Sequence, residues 1–147
     1  MTRQEFSALL LEAKGDKPIT EFSFDVRINT TTLSAIFLAK TNYQMDIALK
    51  ILIGTRSQIH LSNDRYAARI ITSYNQLVDW CVYSFERSHM SKVEFAKQVG
   101  IGRDRVHSVV NNMSTLKVDP FLKWAEITGY EVIIEPKGYH LKSRYRK

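Results

Sequence analysis

Residues Ser91 to Asn112 read SKVEFAKQVGIGRDRVHSVVNN, and three positions in this stretch decide the fold. Gly100 follows Ala96 by four residues, and Val106 follows it by ten. A small side chain at Ala96 lets two short helices approach where they cross. Glycine takes the left-handed backbone of the turn between them, and the β-branched Val106 anchors the second helix on the first. Ser91 and Glu94 form a Ser-x-x-Glu capping box that opens the first helix. Val93, Phe95, Ala96 and Val99 carry that helix to Gly100. The second helix starts after Gly102, turns Val106, Val109 and Val110 inward, and ends at Asn112, a residue that tolerates left-handed backbone.

Working outward, Asp119-Pro120 reads as an N-cap followed by a proline at the first helical position. The helix it opens runs through Phe121, Trp124, Ala125 and Ile127 to Gly129. Tyr130 to Glu135 is rich in β-branched residues and reads as a strand. Upstream, Asn63 or Asp64 is expected to start a longer helix carrying Tyr66, Ile70, Tyr74, Leu77, Val78, Cys81 and Phe85. Before that come helices with Phe6, Leu9, Leu10 and Ala13, from Thr20 to Val26, and from Thr30 to Leu38. Asp46 is placed to cap another that Gly54 ends, and Ser57 to Leu61 reads as extended.

The same order of elements thus occurs twice, and sliding the sequence on itself by 73 residues aligns the copies without a gap. Glu21 then meets Glu94, Phe22 meets Phe95, Val26 meets Val99 and Ile28 meets Ile101. Leu33 meets Val106, Ile36 meets Val109, and Asp46 meets Asp119. Gln58 to Leu61 and Tyr130 to Glu135 occupy matching places, able to pair with each other or across a dimer.

The stretch from Met90 to Glu135, with Ala96, Gly100, Val106 and the closing pair Gly129-Tyr130, resembles the lambda-repressor-like, or XRE-type, helix-turn-helix family. Three positions depart from the family's habit: Val110 stands where it often has Glu, Asn112 where it has Gly, and Leu116 where it favours Pro. The resemblance implies a mainly α fold, a tandem pair of such helix-turn-helix bundles with a short strand at the end of each. It also implies that the helix from Arg103 to Asn111 enters the major groove of double-stranded DNA. Arg103, Arg105, His107, Ser108 and Asn111 would then point outward. Arginine suits the O6/N7 edge of guanine, and asparagine suits adenine or a phosphate oxygen. Asp104 would accept from cytosine or sit at the positive helix end. Ser91 and Lys92, with the amides beside them, would hold a phosphate. The first copy has Arg27 in place of Gly100, Ser23 in place of Ala96, and an outward face of Thr30, Thr31, Thr32, Ser34 and Ala35. It reads mainly as a packing or dimerisation partner, with Arg27, Lys40 and Asn42 as its phosphate contacts.

Charge is distributed unevenly along the chain. The 147 residues carry 21 Lys plus Arg and 15 Asp plus Glu, a formal +6. Residues 1–63 hold seven bases and six acids, so only +1 falls there, and +5 falls on the remainder. Lys137, Lys142, Arg144, Arg146 and Lys147 form an acid-free tail, either a solvated terminus or an arm along phosphates. Hydrophobic residues at 44% and charged residues at 24% exclude a disordered chain. A lone cysteine, Cys81, excludes a disulfide scaffold and reads as a buried structural thiol. No apolar run is long enough for a membrane helix, and the N-terminus lacks a signal peptide's order. A cytoplasmic location follows as an expectation. His60, His89, His107 and His140 are scattered without metal-ligand spacing, so neither metal nor cofactor is expected, and no cluster of acid, base and electrophile suggests an enzyme.

The expected organisation is a degenerate helix-turn-helix-like unit over 1–63, a DNA-binding unit over 64–136, and a basic tail over 137–147. The expected function is transcription regulation by sequence-specific DNA binding, as a homodimer where only the second unit reads a palindrome. The alternative is a helix-turn-helix protein-interaction module such as an antitoxin or anti-repressor.

Overall fold

The computed structural model describes residues 1–137, so the tail beyond Lys137 lies outside the described residues. Within them the fold is mixed α/β: eight helices and a three-stranded antiparallel sheet. The helices are α1 (Arg3–Lys14), α2 (Ile19–Val26), α3 (Thr30–Phe37), α4 (Met45–Gly54), α5 (Tyr74–Ser88), α6 (Lys92–Val99), α7 (Arg103–Val110) and α8 (Val118–Ile127). The strands are β1 (Ser57–Ser62), β2 (Arg69–Ile71) and β3 (Glu131–Pro136), in the order β2-β1-β3.

The 73-residue offset holds in the backbone. Helices α2, α3 and α4 start at Ile19, Thr30 and Met45, and α6, α7 and α8 start 73 positions later at Lys92, Arg103 and Val118. Their ends, Val26, Phe37 and Gly54 against Val99, Val110 and Ile127, keep the same spacing. Left-handed residues also recur in register: Arg27 with Gly100, Ala39 with Asn112, Arg56 with Gly129.

The two halves join at two antiparallel crossings. In the first, Gln44 lies opposite Lys117; the Met45 amide donates to the Leu116 carbonyl and the Val118 amide to the Tyr43 carbonyl, both at 2.8 Å. Each bond satisfies the first amide of a helix, a donor that has no partner inside its own helix. In the second crossing β1 and β3 pair along their length, with His60 opposite Ile133. These strands therefore pair with each other, one of the two arrangements open from the sequence. Strand alternation sends Ile59 and Leu61 to one face. Gln58 and His60 go to the other, where the His60 Nδ1 lies 2.7 Å from Glu135.

Four local expectations are corrected. The helix expected from Asn63 or Asp64 begins instead at Tyr74, capped by Ser73. Asn63 Oδ1 does accept from the amides of Arg65 and Tyr66, as a cap would, but the turn leads into a hairpin. Ile70 and Ile71 then pair with β1, opposite His60 and Ile59. Asp46 and Asp119 are not N-caps. Those places belong to Gln44 and Lys117, neither of which caps its helix through its side chain, because the first crossing supplies the partner. Pro120 accordingly sits at the third helical position, where a missing amide still costs nothing.

One core runs from Phe6 to Val132. Phe121 on α8 meets Phe6 of α1 and Trp80 of α5 edge-on, and Trp80 meets Tyr130. Phe95 joins Phe85 to Trp124, whose indole donates to Ser84 Oγ at 3.0 Å. Gly54 is needed for packing: a Cβ there would lie 2.4 Å from Val26 Cγ1.

Two consequences are measurable. Phe6→Ala should cost about 3–5 kcal/mol and shift the urea midpoint equally by far-UV circular dichroism and by the fluorescence of Trp80 and Trp124, since α1 shares their core. Separate midpoints would contradict one core. Second, two tyrosines brace the loops of the first crossing: Tyr43 OH bonds Ser7 Oγ at 2.8 Å, and Tyr74 OH accepts from the Leu116 amide at 2.8 Å. Burial pushes both phenols from the ordinary 10 up to about 12. The unfolded chain therefore ionises first, and stability intact below pH 10 should drain away between pH 10 and 12. Tyr74→Phe should make that alkaline loss shallower in urea melts.

Candidate nucleic-acid interface

The pair α6–α7 is built as its residues require. Ser91 Oγ accepts from the Glu94 amide at 3.2 Å and opens α6. Gly100 closes it at φ 87, ψ 28, its amide donating to the Ala96 carbonyl. The Ile101 amide donates to the same carbonyl at 3.1 Å. Ala96, Val99, Val106 and Val109 are buried at the crossing, so the register of α7 on α6 is fixed by shape. Gly102 precedes α7 without a side-chain cap, leaving the first amides of that helix open.

With Val106 and Val109 inward, the opposite side of α7 is solvent-facing. Arg103, Asp104, Arg105, His107 and Asn111 are exposed, and Ser108 is half-buried. Arg103 Nε stands 4.0 Å from Asp104 Oδ1, with side chains 66% and 99% exposed. An ion pair that open holds neither group strongly, so both remain available. Lys92 Nζ donates to His107 Nδ1 at 3.0 Å, and Asn111 Nδ2 donates to the His107 carbonyl at 2.8 Å. The start of α6 and the second half of α7 are thus brought together through Lys92, His107 and Asn111, with Ser91 beside them.

Arg105 goes elsewhere. It lines a groove on the flank of α7 with Gln98, Lys117 and Lys123, joined by Asn42 from the other half and by Asp119. Asn42 Oδ1 accepts from the Asp119 amide at 2.9 Å, and the Asp119 carboxylate pairs with Arg3 at 3.4 Å. Sequence reading found Arg105 and Asn42 but not this groove. Lys117 and Lys123 belong to α8 and its approach, and the packing of α8 on α6 brings them beside Arg105.

In the first half Arg27 occupies the left-handed turn at φ 58, ψ 43, and the Ile28 amide donates to the Ser23 carbonyl. The backbone of the α6–α7 turn is therefore reproduced without its glycine. Thr30, Thr31 and Ser34 are exposed on α3, while Thr32 and Ala35 are half-buried. Cys81 is fully buried, which pushes its thiol up and keeps it protonated. Among the described residues no three of His, Cys, Asp and Glu converge as a metal-ligand set, and no helix is long and apolar enough to cross a membrane. No family model, curated protein or solved structure matches the chain.

The two turns can be tested against each other. Gly100→Ala should destabilise by about 1 kcal/mol through backbone strain alone, since no atom lies within 4 Å of the added Cβ. Arg27→Gly should stabilise by up to about 1 kcal/mol by relieving the same strain. Thermal melts of the two variants that moved in the same direction would contradict the shared geometry.

Proposed function

We propose that this chain is a sequence-specific double-stranded DNA-binding protein of transcription regulation, built as two tandem helix-turn-helix units. α7 is its major-groove reader, and no catalytic step is assigned to it. The observation that carries this reading is the face of α7. A helix seated by Val106 and Val109 after a glycine turn presents Arg103, Asp104, His107 and Asn111 to solvent, a set of donors and acceptors suited to base edges and phosphates. Arg103 is suited to a guanine edge and Asn111 to adenine or a phosphate. Ser91, Lys92 and the flanking Arg105 are suited to the sugar-phosphate backbone, setting register without reading sequence.

A protein-interaction module, an antitoxin or anti-repressor, is the second reading. It is favoured by Phe24 on α2 and Leu38 after α3, which are 85% and 63% exposed, since exposed large apolar side chains suit a protein partner.

Electrophoretic shifts separate the two. Against a site selected from random duplex, Arg103→Ala should weaken binding at least about tenfold with little change on unselected duplex. Arg105→Ala should weaken both and flatten the dependence on salt. Equal, unselective binding by the parent and both variants would leave the interaction module.

A further inference from the structure

Both crossings are centred on residues 73 positions apart: Gln44 opposite Lys117, and His60 opposite Ile133. An antiparallel pair has a local two-fold axis through its centre. When both centres join equivalent positions of two similar units, one pseudo-two-fold relates the units. The hydrogen bonds obey it, since Met45 to Leu116 becomes Val118 to Tyr43 under the same offset.

A two-fold between reading helices is what a two-part DNA site demands, and proteins usually obtain it by pairing two identical chains. Here it exists inside one chain. Helices α3 and α7 end at Phe37 and Val110, and each runs into the first crossing seven residues later, at Gln44 and Lys117. The loops that follow the two helices therefore meet at the axis. The outer face of α3 is not consumed by packing either: Thr30, Thr31 and Ser34 are exposed. Beside the axis, Lys117, Lys123 and Arg105 line the groove that Asn42 of the first half completes, a place for the phosphates between two half-sites.

Resting on the DNA-binding reading above, we infer that a single chain is a covalent pseudo-dimer. It occupies an asymmetric two-part duplex site, α7 reading one half through base edges and α3 contacting the other. The α3 half has no cation on its face, so its hydroxyls donate to phosphate oxygens and its threonine methyls pack against thymine. The two half-sites consequently differ in sequence and lie about one helical turn, roughly 34 Å, apart.

The test uses the full chain on sites selected from a randomised duplex library, with native mass spectrometry for stoichiometry and hydroxyl-radical cleavage for protection. The expected complex holds one chain per duplex and protects two unlike half-sites. Thr31→Glu with Ser34→Glu, both on an exposed helical face where glutamate is tolerated, should lower affinity roughly tenfold and erase protection in one half only. Thr31→Ala with Ser34→Ala should do the same more weakly, and unchanged melting shows that both variants fold. Two chains on a symmetric site, or full protection by the glutamate variant, would overturn the pseudo-dimer and leave the α7 reading standing. Failure to select any sequence would overturn both.

Discussion

Two backbone hydrogen bonds hold the organisation of this protein together. The amide at the head of α4 donates to a carbonyl in the second half of the chain, and the amide at the head of α8 donates to one in the first. A helix start buried without partners for its amides is costly, because each unsatisfied donor forfeits on the order of 1–3 kcal/mol of solvation. Each half completes the head of its fourth helix with a carbonyl of the other. The reciprocal bonds also set the distance between the halves, and the core aromatic contacts follow from it. Phe6 reaches Phe121 across the two halves because α1 and α8 are held in contact. Tyr43 and Tyr74 then fasten each crossing loop to the long helix of its own half.

This constraint explains which parts of the fold were legible. The α6–α7 turn was, because its requirements are local: a small residue at the crossing, a left-handed turn, an anchoring valine. The offset of 73 was legible because apolar positions repeat when backbones repeat. The caps of α4 and α8 were not. Sequence rules look for a carboxylate within reach of the first amides, and Asp46 and Asp119 offer one. Their helices begin two residues earlier because the partner is a carbonyl more than 70 residues away, which no local pattern records. The hairpin at Asn63 failed for a related reason. An asparagine accepting from amides two and three residues ahead opens a helix or a turn with equal ease. What decided the matter was the free edge of β1, open to pairing with Ile70 and Ile71.

At the candidate interface, the helix and its outward residues were readable, but their grouping was not. Helical spacing puts Arg103 and Arg105 in one series of exposed residues. In the fold they diverge: Arg103 stays on the open face, and Arg105 turns into a groove whose other cations come from the approach to α8. Lys92 is drawn to His107 from a different helix. Lone lysines such as Lys117 and Lys123 carry no pattern of their own, and acquire a place only through the packing of α8 on α6.

The two halves share one backbone path while their surfaces differ. Arg27 accepts a left-handed conformation that costs a non-glycine residue on the order of 1 kcal/mol, so the turn geometry in the first half is maintained against local preference. That is the mark of a backbone fixed by its surroundings, here Phe22 and Val26 packing below α3 and the crossing beyond it. With the scaffold held, outward positions are free to differ: threonines and serine on α3, arginines, histidine and asparagine on α7. A symmetric pair of identical chains cannot make that distinction, because any change on one reading helix appears on the other. A single chain with an internal pseudo-two-fold can, and it converts a symmetric frame into an oriented one. Under the proposed DNA-binding reading, direction along the duplex would then be set by the chain itself, with the charged helix at one end and the hydroxyl-lined helix at the other.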